Sequence, residues 1–471
     1  MSRIKRAAGV LLVVVVSSVG LVVPDASGHA ATSGSRSDRR AAAPDVGSVT
    51  PRVVGVRPVS GPSVHGCRGA GANTPLVVVE PRHPRVIVVS YLIGAGVAAV
   101  VARSTDGGRH WHRTALRGVT DCTGLASGSL VDPALAMVGR HVVAAESFLG
   151  KGGPQDYVFA SSDGGRTFSG GHQVESASPE QRVFVAIDPL HPRTVHAEVE
   201  YLTDAAGQGL PALRPVSVMQ SPDGGHHFSA PVAVDGIGPR FELTAGIVDT
   251  GRVIVVLFAR VSLSEVGTAL LGGTATETLV VARSTDGGRT FTGHRELGSQ
   301  TFDLPGPIAP GEPTPAGCCI ASMAADRDGH VVAAWADGRS GTVQVRRSRD
   351  AGLTWRRDVI TLHDPVANAA AAPLPGGGAA VFAYERRTGR HGEVFLRPVV
   401  TFLTARGGSR TVVIGERFDD ARITDGTDDS GPVGPMQGIA YAGAGKVVVA
   451  MTAARAHRSR HAEVRLVTLR I

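Results

Sequence analysis

Aromatic residues are scarce in this chain of 471 residues: three Trp, five Tyr and thirteen Phe, 4% in all. Sites that stack sugar rings or unpaired bases lean on aromatic platforms, so a binding face paved in that way is not expected. Cysteine is sparse as well. The four are Cys67, Cys122 and the adjacent Cys318 and Cys319, with no C-x-x-C spacing, so they read as staples rather than metal ligands. No H-E-x-x-H zinc helix and no G-x-S-x-G nucleophile elbow is present. No metal and no cofactor is expected.

Charge excludes a further class. The formal net charge is +7, nearly all the basic residues are arginine, and they are scattered without aromatics between them. A nucleic-acid groove would gather them on one face, so no nucleic-acid partner is expected.

Only one long apolar run exists, from Ala7 to Val23. It follows Arg3, Lys5 and Arg6 and leads into small residues at Ala26 to Ala31, the layout of a secretory signal peptide cut near Ala30. The alternative is a retained anchor; two serines and two glycines inside the run argue against it, and no Cys follows to carry a lipid. The expectation is export, with no membrane span after cleavage. Residues 31–49, with R-S-D-R-R at Arg36 to Arg40, show no period and read as a disordered linker. Residues 50–471 remain as one domain, expected to be monomeric.

What the chain has in quantity is one motif. S-T-D-G-G-R-H-W at Ser104 to Trp111 returns at Ser161 to Phe168, Ser221 to Phe228, Ser284 to Phe291 and Ser348 to Trp355. A worn copy, T-A-R-G-G-S-R-T, stands at Thr404 to Thr411. The Asp positions are Asp106, Asp163, Asp223, Asp286 and Asp350, with Arg406 in the sixth, so the intervals are 57, 60, 63, 64 and 56. Repetition at this period predicts stacked four-stranded units, because one unit alone leaves its apolar face in water. Each motif reads as a hairpin: Gly accepts positive φ, and the Asp carboxylate collects the turn's own N–H groups. Five identical turns are a structural device, not five catalytic sites.

The motif resembles the Asp-box, or bacterial neuraminidase repeat, of sialidase-like β-propellers. The resemblance covers residues 104–411 through the boxes and roughly 50–471 through the strand pattern. It implies an all-β propeller of four-stranded blades, with the box turns on one face and any pocket on the other. Blades open at Leu76, Val131, Arg182, Phe241, Cys319 and about Ala367, making six. Three further strands follow, at Met436 to Ala442, Val447 to Thr452 and Glu463 to Ile471, and Arg52 to Val59 is spare in front. Seven blades are favoured over the sialidases' six, with the first strand completing the last blade and closing the ring. For the cysteines, a 67–122 bridge between neighbouring loops is the simplest of three pairings, leaving Cys318 and Cys319 as a vicinal pair, oxidised or reduced.

On the face away from the boxes, the second strands of blades four to seven end near Arg260, Arg339, Arg387 and Arg455. Converging guanidinium groups suit a carboxylate, sulfate or phosphate, whereas the plainer reading is a rim of salt bridges. A sialidase centre, by the resemblance, needs an arginine triad, a Tyr activated by Glu, and an Asp acid/base. The Arg-Ile-Pro motif is missing, and the candidates left are Asp337, Tyr384 and Glu385, with Tyr384 readable as blade packing. The loop with Asp419, Asp420, Asp425, Asp428 and Asp429 could bind calcium but lacks a bounded ligand pattern. The expected role is a secreted glycan- or protein-binding module with a partner of anionic character, or alternatively an exo-sialidase-type hydrolase of an anionic sugar.

Overall fold

A computed structural model of the chain describes residues 50–471, leaving out several loop stretches, the longest being 266–273, 304–320 and 424–432. The proposed signal peptide and linker, Cys318, Cys319, Arg339, Asp420, Asp425, Asp428 and Asp429 lie outside the described residues.

The strands form seven four-stranded antiparallel sheets, the blades of a β-propeller. Blade one runs from its inner strand Ala72–Val79 through Ile87–Ile93 and Ala98–Ser104 to the outer strand His112–Ala115. The other inner strands are Gly128–Val138, Val183–Ile187, Arg240–Asp249, Ser322–Ala325, Pro365–Leu374 and Gly438–Tyr441. Each falls within a few residues of the start read from the sequence. Blade seven takes its outer strand, Arg52–Pro58, from the far end of the chain, paired Arg52 to Arg470 and Pro58 to Arg465. The ring is thereby closed, as the strand count required. Blade three carries one element the repeat did not announce, a small hairpin of Leu202–Asp204 with Pro211–Leu213.

Packing explains how so few aromatics suffice. Seven hydrophobic clusters occur, one at each seam between blades, built mainly from Val and Ala. Flat valine- and alanine-faced sheets approach closely, and the second strand of blade one, Ile87–Ile93, is buried throughout. The cluster at the closing seam joins Val89 and Val100 of blade one to Val448 and Leu466 of blade seven. The seven inner strands line a central channel of about 590 Å³.

The repeated turns lock themselves as their residue types require. Ser104 Oγ donates to Asp106 Oδ1 at 2.8 Å and accepts the Gly108 N–H at 2.8 Å, while Asp106 Oδ1 accepts the N–H groups of Arg109 and His110. The same serine bonds recur at Ser161, Ser221, Ser284 and Ser348. Gly107 and Gly108 stand at φ 79° and 85°, where a side chain is strained. In the fifth copy Ala351 holds the first of these positions at φ 51°. The worn copy keeps half the device: Thr404 Oγ1 accepts the Gly408 N–H at 2.9 Å, although Arg406 replaces the Asp. Cys67 and Cys122 form a disulfide across 55 residues, the pairing the loop positions favoured.

Candidate functional site

Each inner strand begins, and each second strand ends, on the face away from the repeated turns. Of the arginines expected there, Arg260, Arg387 and Arg455 each have an acid. Arg260 Nε donates to Asp235 Oδ2 at 2.9 Å, and Arg240 Nη2 reaches the same oxygen at 2.8 Å. Arg387 Nη2 lies 3.3 Å from Glu385 Oε2, and Arg397 Nε donates to that oxygen at 2.8 Å. Arg455 Nε is 3.7 Å from Glu463 Oε2. Each arginine is thus engaged close to its own blade, each of the three with a different acid.

The three acid and hydroxyl candidates are also engaged. Tyr384 is wholly buried, and its hydroxyl donates to the Thr452 carbonyl and to Gln437 Oε1, both of blade seven. Burial pushes its pKa well up, and its ring packs edge-on against Phe382 and Phe418. Burial would raise Glu385, but Arg397, the His363 N–H and Arg387 hold it below the usual carboxylate range. Asp337 accepts the Ser340 hydroxyl. Asp419, the one described member of the acidic loop, pairs with Arg422 at 2.8 Å.

The structure adds a set of residues that the search for arginine passed over. At the level where blades four to seven carry arginine, the second strands of blades two and three carry Glu146, Glu198 and Glu200. Between them stands Arg182, whose Nε donates to Asp132 Oδ2 at 3.0 Å. Burial disfavours its charge, but Asp132, Glu200 and Glu277 together outweigh that and strengthen it. Glu200 Oε1 accepts the Thr244 N–H at 2.8 Å and its hydroxyl at 3.1 Å, and Glu198 Oε2 accepts the Gly246 N–H at 3.0 Å. These bonds tie blade three to the inner strand of blade four.

Two carboxyl groups at this seam titrate near neutrality. Burial raises Glu242 to about 7, helped by its hydrogen bond and charge contact with Asp235. Burial raises Glu277 to about 7 against the pull of Gln300 and Arg182. Asp235 goes the other way: its bonds to Glu242, the Gly236 N–H, Arg260 and Arg240 overcome burial and hold it low. A protonated Glu242 beside an ionised Asp235 is a donor and acceptor pushed apart by their surroundings, the pattern expected of groups that exchange protons. Glu146 is different, since it is fully buried and neither carboxyl oxygen has a hydrogen-bond partner.

The sequence did carry a signal for these residues. They stand inside apolar strand runs, as in V-V-A-A-E-S-F, V-H-A-E-V-E and R-F-E-L-T-A-G, where a carboxylate needs a stated partner. Only Arg260 of the expected residues belongs to this seam.

No family model matches the chain, and no curated protein matches it. Among solved structures it is similar to a Hadza microbial sialidase, Hz136, at 14% identity over 82% of this chain and 74% of that one, with a TM-score of 0.47. It is similar to a protein of unknown function from Dyadobacter fermentans at 14% identity, covering 89% of this chain and 99% of that one, with a TM-score of 0.47. A third is Trypanosoma rangeli sialidase with the inhibitor DANA, at 12% identity over 85% of this chain and 55% of that one, TM-score 0.41. Sialidases therefore stand among its structural neighbours. What defines this protein is its own geometry: a seven-bladed propeller with a polar, carboxylate-rich seam between blades three and four.

Proposed function

We propose that this chain is an exported Asp-box propeller of the sialidase superfamily that works as an extracellular glycan- or protein-binding module. It would leave the cell through a signal peptide spanning residues 1–30 and carry residues 31–49 as a linker. The observation that carries the binding reading is the engagement of the groups a sialidase-like centre would need. Tyr384, the candidate nucleophile, is buried with its hydroxyl bonded to blade seven, and Arg260, Arg387 and Arg455 each face an acid. Arginines held by acids at a rim can still exchange partners with an anionic ligand, so Arg260, Arg387 and Arg455, with Arg339, remain the proposed ligand contacts. The Cys67–Cys122 bridge agrees with an oxidising compartment. Among the described residues no helix is long and apolar enough to cross a membrane.

A second reading, hydrolysis of an anionic sugar, is favoured by one observation. Glu242 at about 7, beside the low Asp235 and the guanidinium groups of Arg240 and Arg260, has the protonation a general acid needs at neutral pH. Purified protein incubated with a fluorogenic sialoside separates the readings. No turnover, together with retention of a sialylated, sulfated or uronic-acid glycan on an array, supports the binding module. Turnover abolished by Glu242→Gln supports the hydrolase, and a blank array with no turnover overturns both the hydrolase and the glycan-binding form of the module.

A further inference from the structure

The face with the repeated turns, expected to be only structural, holds a cavity of its own. It occupies about 540 Å³ beside the channel mouth, lined by the turns of blades one, two and three and by Arg327 of blade five. Five arginines line it, Arg82, Arg103, Arg140, Arg166 and Arg327, against two carboxylates, Glu80 and Asp163.

The arginines are not neutralised. No acid among the described residues pairs with Arg82, Arg140, Arg166 or Arg327, in contrast to Arg260, Arg387 and Arg455 on the opposite rim. Asp163 is spent on its own turn: Oδ1 takes the Ser161 hydroxyl and the N–H groups of Arg166 and Thr167, and Oδ2 takes the Thr167 hydroxyl at 2.7 Å. Neighbouring His141 feels the excess, since burial and then the charges of Arg193 and Arg140 push its pKa down.

The floor is built and rigid. Arg103 Nε donates to the Gly164 carbonyl at 2.9 Å, and the Gly164 N–H donates to the Arg140 carbonyl at 2.8 Å, joining blade one to the turn of blade two. Glu80 is 2% exposed; one of its oxygens accepts the His83 N–H, and Oε1 has no hydrogen-bond partner. A buried acceptor left without a donor is unfavourable, so a ligand that supplies one recovers that cost.

A bare oxyanion would satisfy the arginines and be repelled by Glu80. A ligand that carries both an oxyanion and a neighbouring hydroxyl satisfies each. We propose that this cavity binds a sugar bearing a sulfate or phosphate ester, the ester oxygens held by Arg103, Arg140 and Arg166 and a ring hydroxyl donated to Glu80 Oε1. The site stands on the opposite face from the proposed ligand contacts and does not depend on them.

Calorimetry on the full chain tests this with glucose 6-sulfate, glucose 6-phosphate, glucose, inorganic sulfate and inorganic phosphate. Both esters bind, more weakly at high salt, and their ratio distinguishes the two sources of the oxyanion. Glucose does not bind, and the inorganic ions bind about tenfold more weakly than the esters. Arg140→Ala and Arg166→Ala each weaken the esters about tenfold, and Arg57→Ala, on the exposed outer strand of blade seven, leaves them unchanged. Glu80→Gln narrows the gap between esters and inorganic ions. The inference is overturned by absent ester binding, by inorganic ions that bind as tightly, or by ester binding indifferent to Arg140→Ala and Arg166→Ala. Loss with Arg387→Ala alone would also overturn it, while leaving the proposed function standing.

Discussion

Arg182 of blade three donates to Asp132 of blade two at 3.0 Å, and Asp132 holds φ at 49° to present its carboxylate there. This guanidinium is shared with Glu200 and Glu277, so one cation offsets three acids drawn from three blades.

Removing it should therefore cost more than one ion pair. Arg182→Met leaves Asp132, Glu200 and Glu277 without their common cation; deleting one partner of a fully buried pair costs on the order of 3–5 kcal/mol, and with Arg182 21% and Asp132 13% exposed the lower end of that range applies. Urea denaturation should show a loss of that size, recovered in part by Asp132→Asn in the same chain. A loss under about 1 kcal/mol, the range of exposed pairs, would mean that the cluster is solvated.

Acid should stabilise this fold across a range where many proteins are indifferent. Glu242 and Glu277 titrate at about 7 when folded, against an ordinary value of 4.5, and burial also raises Glu146 and Glu198. A raised carboxyl pKa means that the folded state holds more protons, so stability falls as pH rises from about 4.5 to about 7. The turn aspartates act oppositely. Burial would raise Asp163, yet Thr167, Ser161 and Arg166 hold it at about 2, so its contribution is present above 3.8 and lost as pH falls toward 2. Urea midpoints should be highest near pH 4.5 to 5 and fall toward pH 8. Glu146→Gln and Glu277→Gln should each flatten the alkaline limb. A midpoint constant from pH 5 to 8 would contradict the burial assigned to these groups.

The repeat made the fold legible because its turn chemistry is local. Ser104, Asp106, Gly107 and Gly108 bond within five residues, so their spacing in sequence is their spacing in space. The candidate seam is the opposite case. Glu200 is held by Thr244 and Arg182 by Asp132, partners 44 and 50 residues away that no local pattern connects. The strands' apolar runs located the acids without showing that Arg182 gathers them. Arginine at a shared level was legible too, as was Glu385 beside Arg387, but not the acids that answer Arg260 and Arg455, since Asp235 and Glu463 lie on other segments.

The worn sixth turn should accept repair. Thr404 already accepts the Gly408 N–H, as serine does in the other copies, and what is missing is the carboxylate. Arg406→Asp would place an acceptor toward the N–H groups of Ser409 and Arg410, the positions Asp106 serves at Arg109 and His110, worth about 1 kcal/mol at a capping-type site. Asp286→Ala in an intact copy should lose a comparable amount. Paired thermal melts of the two variants give shifts of opposite sign if the box stabilises each turn independently. A loss in both would mean that Arg406, whose carbonyl accepts Arg356 Nη2 at 3.0 Å, has been fitted to its present role.

Closure is the feature on which the remaining blades depend. Arg52–Pro58 covers Ala462–Arg470, and the Val59 N–H extends the pairing to the Val464 carbonyl at 2.8 Å. Beneath lie Val464 and Leu466, buried at the seam with blade one. Deleting residues 50–59 would leave a nine-residue edge strand with its N–H and C=O groups open on one side and that seam thinned. Because Val54 and Val56 already face outward at 49% and 46% exposure, little apolar burial is lost with the strand itself. The loss falls on the backbone ladder, so the truncated protein should pair edge to edge rather than unfold. Light scattering should report dimers or larger species, and hydrogen exchange should be fast over 462–470 and unchanged in blades three to five. A peptide of sequence R-V-V-G-V-R-P-V added in trans should restore both the monomer and the protection. A truncated chain that stays monomeric and protected would show that the third strand holds its edge without the first.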